Sequence, residues 1–171
     1  GTISGCSAST NGLFGFNASS GGTVTDCTAS GNTGVGIIGV AGCSITDCTV
    51  RLSTLDGIRF DSACMIRGNS CQKNGNGGDG AGIHTIGRGN HIEGNTCADA
   101  DRGIDVDGVG SIIIRNTCAR NTLNWTVPIL NHGHYVIAAP LGNVTGNEGG
   151  MPPAGFDPDQ VDPTANFSFD T

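Results

Sequence analysis

The sequence predicts an all-β solenoid: a right-handed parallel β-helix of about six 21-residue coils with an extended C-terminal tail. Two apolar columns that recur at one interval predict it, together with a sharp change of composition after Asn121. The first column reads Ile3, Val24, Ile45, Ile66, Ile92 and Ile113, at steps of 21, 21, 21, 26 and 21. The second reads Phe16, Ile37, Ile58, Ile83 and Ile104, and a glycine precedes every member. The one long step coincides with about five extra residues around Gly75 to Asp79.

Each element follows from stacking. Coils about 4.8 Å apart place like residues on like. Three residues after the first aliphatic stand Cys6, Cys27, Cys48, Asn69, Asn95 and Asn116. Two further on stand Ala8, Ala29, Val50, Cys71, Cys97 and Cys118, and a third ladder holds Cys43 and Cys64. Asn11, Asn32, Ser53, Asn74, Ala100 and Asn121 form another column. Asparagine suits such corners because it tolerates left-handed backbone and its amide can bond the amide above. The cysteines fill slots otherwise held by small residues, and no CxxC spacing occurs, so buried free thiols are expected rather than a metal or disulfide framework.

The string Ile-Arg-Gly-Asn-Ser-Cys at 66–71 recurs as Ile-Glu-Gly-Asn-Thr-Cys at 92–97 and as Ile-Arg-Asn-Thr-Cys at 114–118. With the Gly-Ile pairs at 57–58, 82–83 and 103–104, it resembles the repeat of the pectate-lyase-like superfamily of right-handed β-helix proteins, over roughly residues 1–121. That resemblance implies the fold. It leaves function open, because lyases, hydrolases, epimerases and non-catalytic surface proteins share this architecture.

The organisation expected is a β-helix over 1–121 and a capping or oligomerisation tail over 122–171. All six prolines lie in the tail, with Trp125, Tyr135, Phe156, Phe167 and Phe169. A solenoid end exposes core and strand edge that must be covered. The tail therefore either caps its own coil or packs on a neighbouring chain through those five aromatics, in a homo-oligomer for which a trimer is the expectation. Gly1 shares a column with Gly22, which suggests that a longer protein or an assembly covers the other end.

Charge excludes some partners. The net charge is −7, and Lys73 is the only lysine beside seven arginines, so no basic stripe exists for nucleic acid. No apolar run reaches the roughly 18 residues a membrane span needs.

Beside the inward Ile58, Ile83 and Ile104 stand Arg59, His84 and Asp105, expected to point outward on successive coils, with Asp61 and Asp107 two positions further on. These five form the candidate catalytic patch, flanked by Asp56 and Arg102. Paired carboxylates with a basic partner suit glycoside hydrolysis or a cation-assisted lyase. Asp56-Gly57-Ile58 resembles the Asp-Gly-Ile of polygalacturonases, but the paired aspartates, Gly-His-Gly and Arg-x-Lys that should follow are missing; Asp79, Arg102 and Gly103 are the nearest stand-ins. No metal or cofactor is expected, with calcium at Asp105 and Asp107 the alternative. His132-Gly-His134 reads as a turn rather than a metal site. The outward hydroxyls that flank the first column break at Met65/Arg67 and His91/Glu93, which argues against an ice-binding array. The functional expectation is a secreted or cell-surface, non-catalytic structural or carbohydrate-associated module. The alternative is a polysaccharide lyase or glycoside hydrolase acting on uronate-rich polymers.

Overall fold

A computed structural model describes residues 1–76 and 78–128, Asn131, and three further short strands at Val136–Ala138, Val144–Thr145 and Asn166–Phe169. The described residues are all β and irregular structure, with no helix among them. Three parallel sheets run along a right-handed solenoid. The first stacks Thr2–Ser4, Thr23–Thr25, Ser44–Thr46, Met65–Arg67, His91–Glu93 and Ile112–Ile114. The second stacks Ser7–Ser9, Thr28–Ser30, Thr49–Arg51, Ser70–Gln72, Thr96–Ala98 and Thr117–Ala119. The third stacks Phe16–Ala18, Ile37–Gly39, Ile58–Phe60, Ala81–Thr85, Arg102–Val106 and Leu123–Thr126.

The apolar columns are the core. Val24, Ile45, Ile66, Ile92 and Ile113 are fully buried, as are Ile37, Ile58, Ile83 and Ile104. Ile3 and Phe16 pack against this core but are only half-buried, because the first coil has a neighbour on one side only. Register is one-to-one: Ile66 pairs with both Ile45 and Ile92, across the 21- and the 26-residue step alike. The insertion therefore sits outside the stack and leaves the interior unchanged. The glycine before the second column is required by space. A Cβ on Gly57 would lie 2.6 Å from the carbonyl of Gly82, and one on Gly36 2.6 Å from that of Gly57.

The asparagines behave differently from expectation in one respect. Among the described residues, no asparagine has a left-handed φ. The bend falls one residue earlier, at Gly68, Gly94 and Arg115 in one column and at Lys73, Asp99 and Arg120 in the next. The residue that follows, an asparagine everywhere but at Ala100, turns inward, and each asparagine bonds along the stack. The Asn95 carboxamide oxygen accepts from both the backbone N–H and the side-chain amide of Asn69, at 2.9 and 3.0 Å. The Asn95 amide in turn donates to Ile66 O and to the Asn116 oxygen, each at 2.9 Å. These buried amides satisfy backbone groups that the corners remove from the sheet ladders. A cysteine in the same column takes a similar place: Cys48 N–H donates to Asn69 Oδ1 at 3.0 Å.

All eight cysteines are free thiols, and all but Cys6 are buried. The solenoid register runs past residue 121, since Ile104 pairs with Trp125 in the third sheet. Trp125 thus extends the second apolar column and is fully buried. Expected at an interface between chains, it is buried inside its own solenoid, where Val144 of one more strand, Val144–Thr145, pairs beyond it. Phe167 and Phe169 lie on a strand that pairs with Thr117–Ala119 of the same chain. Tyr135 and Phe156 lie outside the described residues.

Candidate functional site

The third sheet presents Arg59, His84 and Asp105 in register on its outer face. Parallel pairing alone brings these three side chains together from positions 25 and 21 residues apart. Two more groups join from just outside the strands. Asp56 precedes the Gly57 bend and is buried. Its Oδ1 accepts the backbone N–H of Ala81 at 2.8 Å, which fixes the carboxylate, and its Oδ2 lies 3.1 Å from His84 Nδ1. Asp107 reaches back to the other ring nitrogen, with Oδ2 at 3.3 Å from Nε2, and Asp105 Oδ2 lies 3.9 Å from the same atom.

That geometry sets the state of the ring. Asp56 as a carboxylate can only accept, so Nδ1 carries a proton. Nε2 then faces two carboxylates, and the space between them favours a positive charge, whether a proton or a metal ion. Burial disfavours a charged His84, yet Asp56, Asp105 and Asp107 outweigh it and raise its pKa above the ordinary value. Burial also pushes the Asp105 carboxyl upward, while Arg102 and His84 pull the other way.

Asp105 departs from the outward, solvated position expected of it. Its side chain is 3% exposed. Arg102, three residues earlier on the same strand, folds over it with Nη1 at 2.6 Å from Oδ2 and reaches Asp79 with its other terminal nitrogen. Asp79 belongs to the five-residue insertion, which Asp101 pins by accepting the N–H groups of Gly78 and Gly80 at 3.0 and 3.3 Å. Nothing in the repeat pattern marked Asp101 for this role, because its partners are backbone groups of residues outside the repeat. Pinned in this way, the insertion walls a groove of about 460 Å³ lined by Leu55, Asp56, Arg59, Asp79 and His84 among others.

Of the five residues expected to act together, His84, Asp105 and Asp107 converge, with ligand atoms all within 4.8 Å of one another. Arg59 stands beside them, exposed in the groove. Asp61 is not among the converging ligand atoms; it accepts from the hydroxyl of Ser62 at 3.1 Å and lines a second groove with Asp107. A carboxylate pair for cutting a polymer needs both groups within reach of the chain, and Asp105 is covered.

The donor set is one imidazole nitrogen and two carboxylates, backed by a third carboxylate on the far ring nitrogen. That set suits a divalent transition metal such as copper(II) better than calcium, which takes six to eight oxygens. The Asp56–His84 bond is the outer-shell contact that orients metal-binding histidines and raises their basicity. Asp56, Asp79, Asp105 and Asp107 face Arg59 and Arg102, so the cluster carries two uncompensated negative charges before His84 is counted. His132 and His134 lie outside the described residues.

A family model described as "NosD: Periplasmic copper-binding protein (NosD)" matches residues 2–146. No curated protein and no solved structure matches the chain. The family description places its members in the periplasm, outside the cytoplasmic membrane, in agreement with the secreted or cell-surface location expected from the sequence.

Proposed function

The chain belongs to the NosD family, and on that premise we propose that it is a non-catalytic periplasmic module that holds one copper(II) ion on the outer face of its third sheet. His84 Nε2, Asp105 and Asp107 are the ligands. The observation that carries this reading is the bond from His84 Nδ1 to the buried Asp56 carboxylate, which leaves Nε2 aimed at two further carboxylates. When bound, the ion would neutralise the excess negative charge of the cluster. The chain's own residues do the rest: Ala81 N–H holds Asp56, Asp56 holds the imidazole, and Arg102 holds Asp105 until the ion competes for it. The solenoid supplies rigidity, since each ligand stands on or beside a strand paired on both sides.

Equilibrium dialysis of the full chain against copper(II), with electron paramagnetic resonance of the bound ion, tests the proposal. One equivalent with hyperfine coupling to a single imidazole nitrogen is expected, and His84→Ala should abolish it. Stoichiometric binding that survives His84→Ala, or a signal without nitrogen coupling, would overturn it.

A further inference from the structure

The third corner of each coil carries a column that the copper reading does not use. It runs Gly22, Cys43, Cys64, Asn90 and Ser111, each directly after a left-handed residue. At Cys64 the next rung serves the backbone, since Cys64 N–H donates to Asn90 Oδ1 at 2.8 Å. Between Cys43 and Cys64 the two thiols meet directly, with Sγ atoms 3.2 Å apart, inside the sum of the sulfur van der Waals radii. Both residues are 2% exposed. Cys27 and Cys48 instead donate to a carbonyl two residues back, Thr25 O and Thr46 O, at 3.1 Å, as Cys64 also does to Ser62 O at 3.4 Å, while Cys71, Cys97 and Cys118 make thiol–thiol contacts of their own.

The backbone around the pair suits a covalent bond. Met65 N–H donates to Cys43 O at 2.9 Å, so the two corners are held at the spacing of paired strands. That spacing, about 4.8 Å, lies within the roughly 4.4–6.8 Å between Cα atoms that disulfides require. Cys71, Cys97 and Cys118 also stack in register, but within strands, where successive side chains leave the backbone in one direction.

We propose that Cys43 and Cys64 are a dithiol that closes to a disulfide linking two adjacent coils. The periplasm, where the family description places its members, sustains disulfides. The oxidant is a small-molecule disulfide. The Cys64 thiolate attacks one of its sulfurs and releases the first small thiolate. Cys43 then attacks the Cys64 sulfur of the mixed disulfide, releases the second, and its proton passes to that leaving group. Two protein thiols lose two electrons, and one small disulfide becomes two thiols. The S–H of Cys43 points at Cys64 and favours the Cys64 thiolate by hydrogen-bonding to it, which makes Cys64 the attacking sulfur. The bond closes a 21-residue loop and locks the coil that carries Arg59 to the one that follows it and carries His84.

The test uses the full chain, purified under reductant and then equilibrated with glutathione disulfide. Thiols titrated in denaturant should fall by two beyond any mixed disulfide at the exposed Cys6, with peptide mapping joining Cys43 to Cys64 and Tm rising by about 5 °C or more. Cys43→Ala and Cys64→Ala should each form no disulfide within the chain under the same oxidant, a mixed disulfide at most, and show no rise in Tm. A wild-type count that stays at eight overturns the proposal, and so does a link joining any other pair.

Discussion

The two faces of the third sheet follow different rules. Inward, the register reads Phe16, Ile37, Ile58, Ile83, Ile104 and Trp125; outward, it reads Asn17, Ile38, Arg59, His84, Asp105 and Thr126. Every inward residue is large and apolar, because each must fill the same cross-section above and below its neighbours. The outward residues share no chemistry. Water accepts any of them, so a site can be assembled there one coil at a time without disturbing the stack. The comparison also shows where the outer rule fails. Asp105 faces out and yet is buried, because Arg102 and the insertion close over it.

Substitutions measure the contrast. Trp125→Ala should cost about 3–5 kcal/mol in urea unfolding, the cost of emptying a fully buried aromatic site. A loss below about 1 kcal/mol would show that the coil carrying Trp125 contributes little to the cooperative unit. Asn95→Ala should cost about 1–3 kcal/mol, since it strands the buried N–H of Asn69 and leaves the Asn116 oxygen without one donor. On the outer face, Asp56→Asn should weaken copper(II) binding by about 10- to 100-fold while the fold stays intact, because it disturbs the group that orients His84. Dialysis showing unchanged affinity would remove Asp56 from the site.

pH should separate the faces further. In the metal-free chain His84 has a raised pKa in the folded state. Its ion pairs therefore add stability that is fully present below about pH 6.5, the unfolded value, and is lost as pH rises through the higher folded value. Urea unfolding between about pH 5 and pH 9 should show this loss in the wild type and not in His84→Gln. The smallest effect belongs to Arg59→Ala, expected within about 0.5 kcal/mol of wild type in the same assay. Self-association through the tail is a separate proposal, with a homotrimer as the expected mass in light scattering; a monomer at high concentration ends it.

What could be read from the sequence follows the same division. The interior was legible because a constant interval and a single residue class repeat together, as in Ile45, Ile66 and Ile92. Trp125 escaped that reading: it follows Asn124 instead of a glycine and differs in kind from the column it completes. His84, Asp105 and Asp107 could be placed on one face by counting residues from the inward isoleucines. The Asp56–His84 bond could not, since it depends on a side chain turning at a bend, nor could the cover over Asp105, which comes from an insertion outside the repeat. The asparagine columns were found, but their geometry was misassigned by one position, because sequence alone does not say which of two adjacent residues takes the left-handed turn.

The second sheet ends in an order that the chain does not follow. Asn166–Phe169 lies between Thr117–Ala119 and Val136–Ala138, paired with both. Its asparagine takes the next rung of the amide ladder, with Asn116 N–H donating to Asn166 Oδ1 at 2.9 Å across 50 residues of sequence. Every earlier rung can close as soon as one more coil has left the ribosome. This one cannot: Val136–Ala138 is synthesised well before the strand that joins it to the sheet. Until residues 166–169 arrive, the ladder ends at Asn116 with a donor unmet, and the edge at Thr117–Ala119 stays open. The body of the solenoid can thus assemble progressively during synthesis, whereas this end must wait for a late and distant segment, with the larger loop-closure entropy such a contact carries.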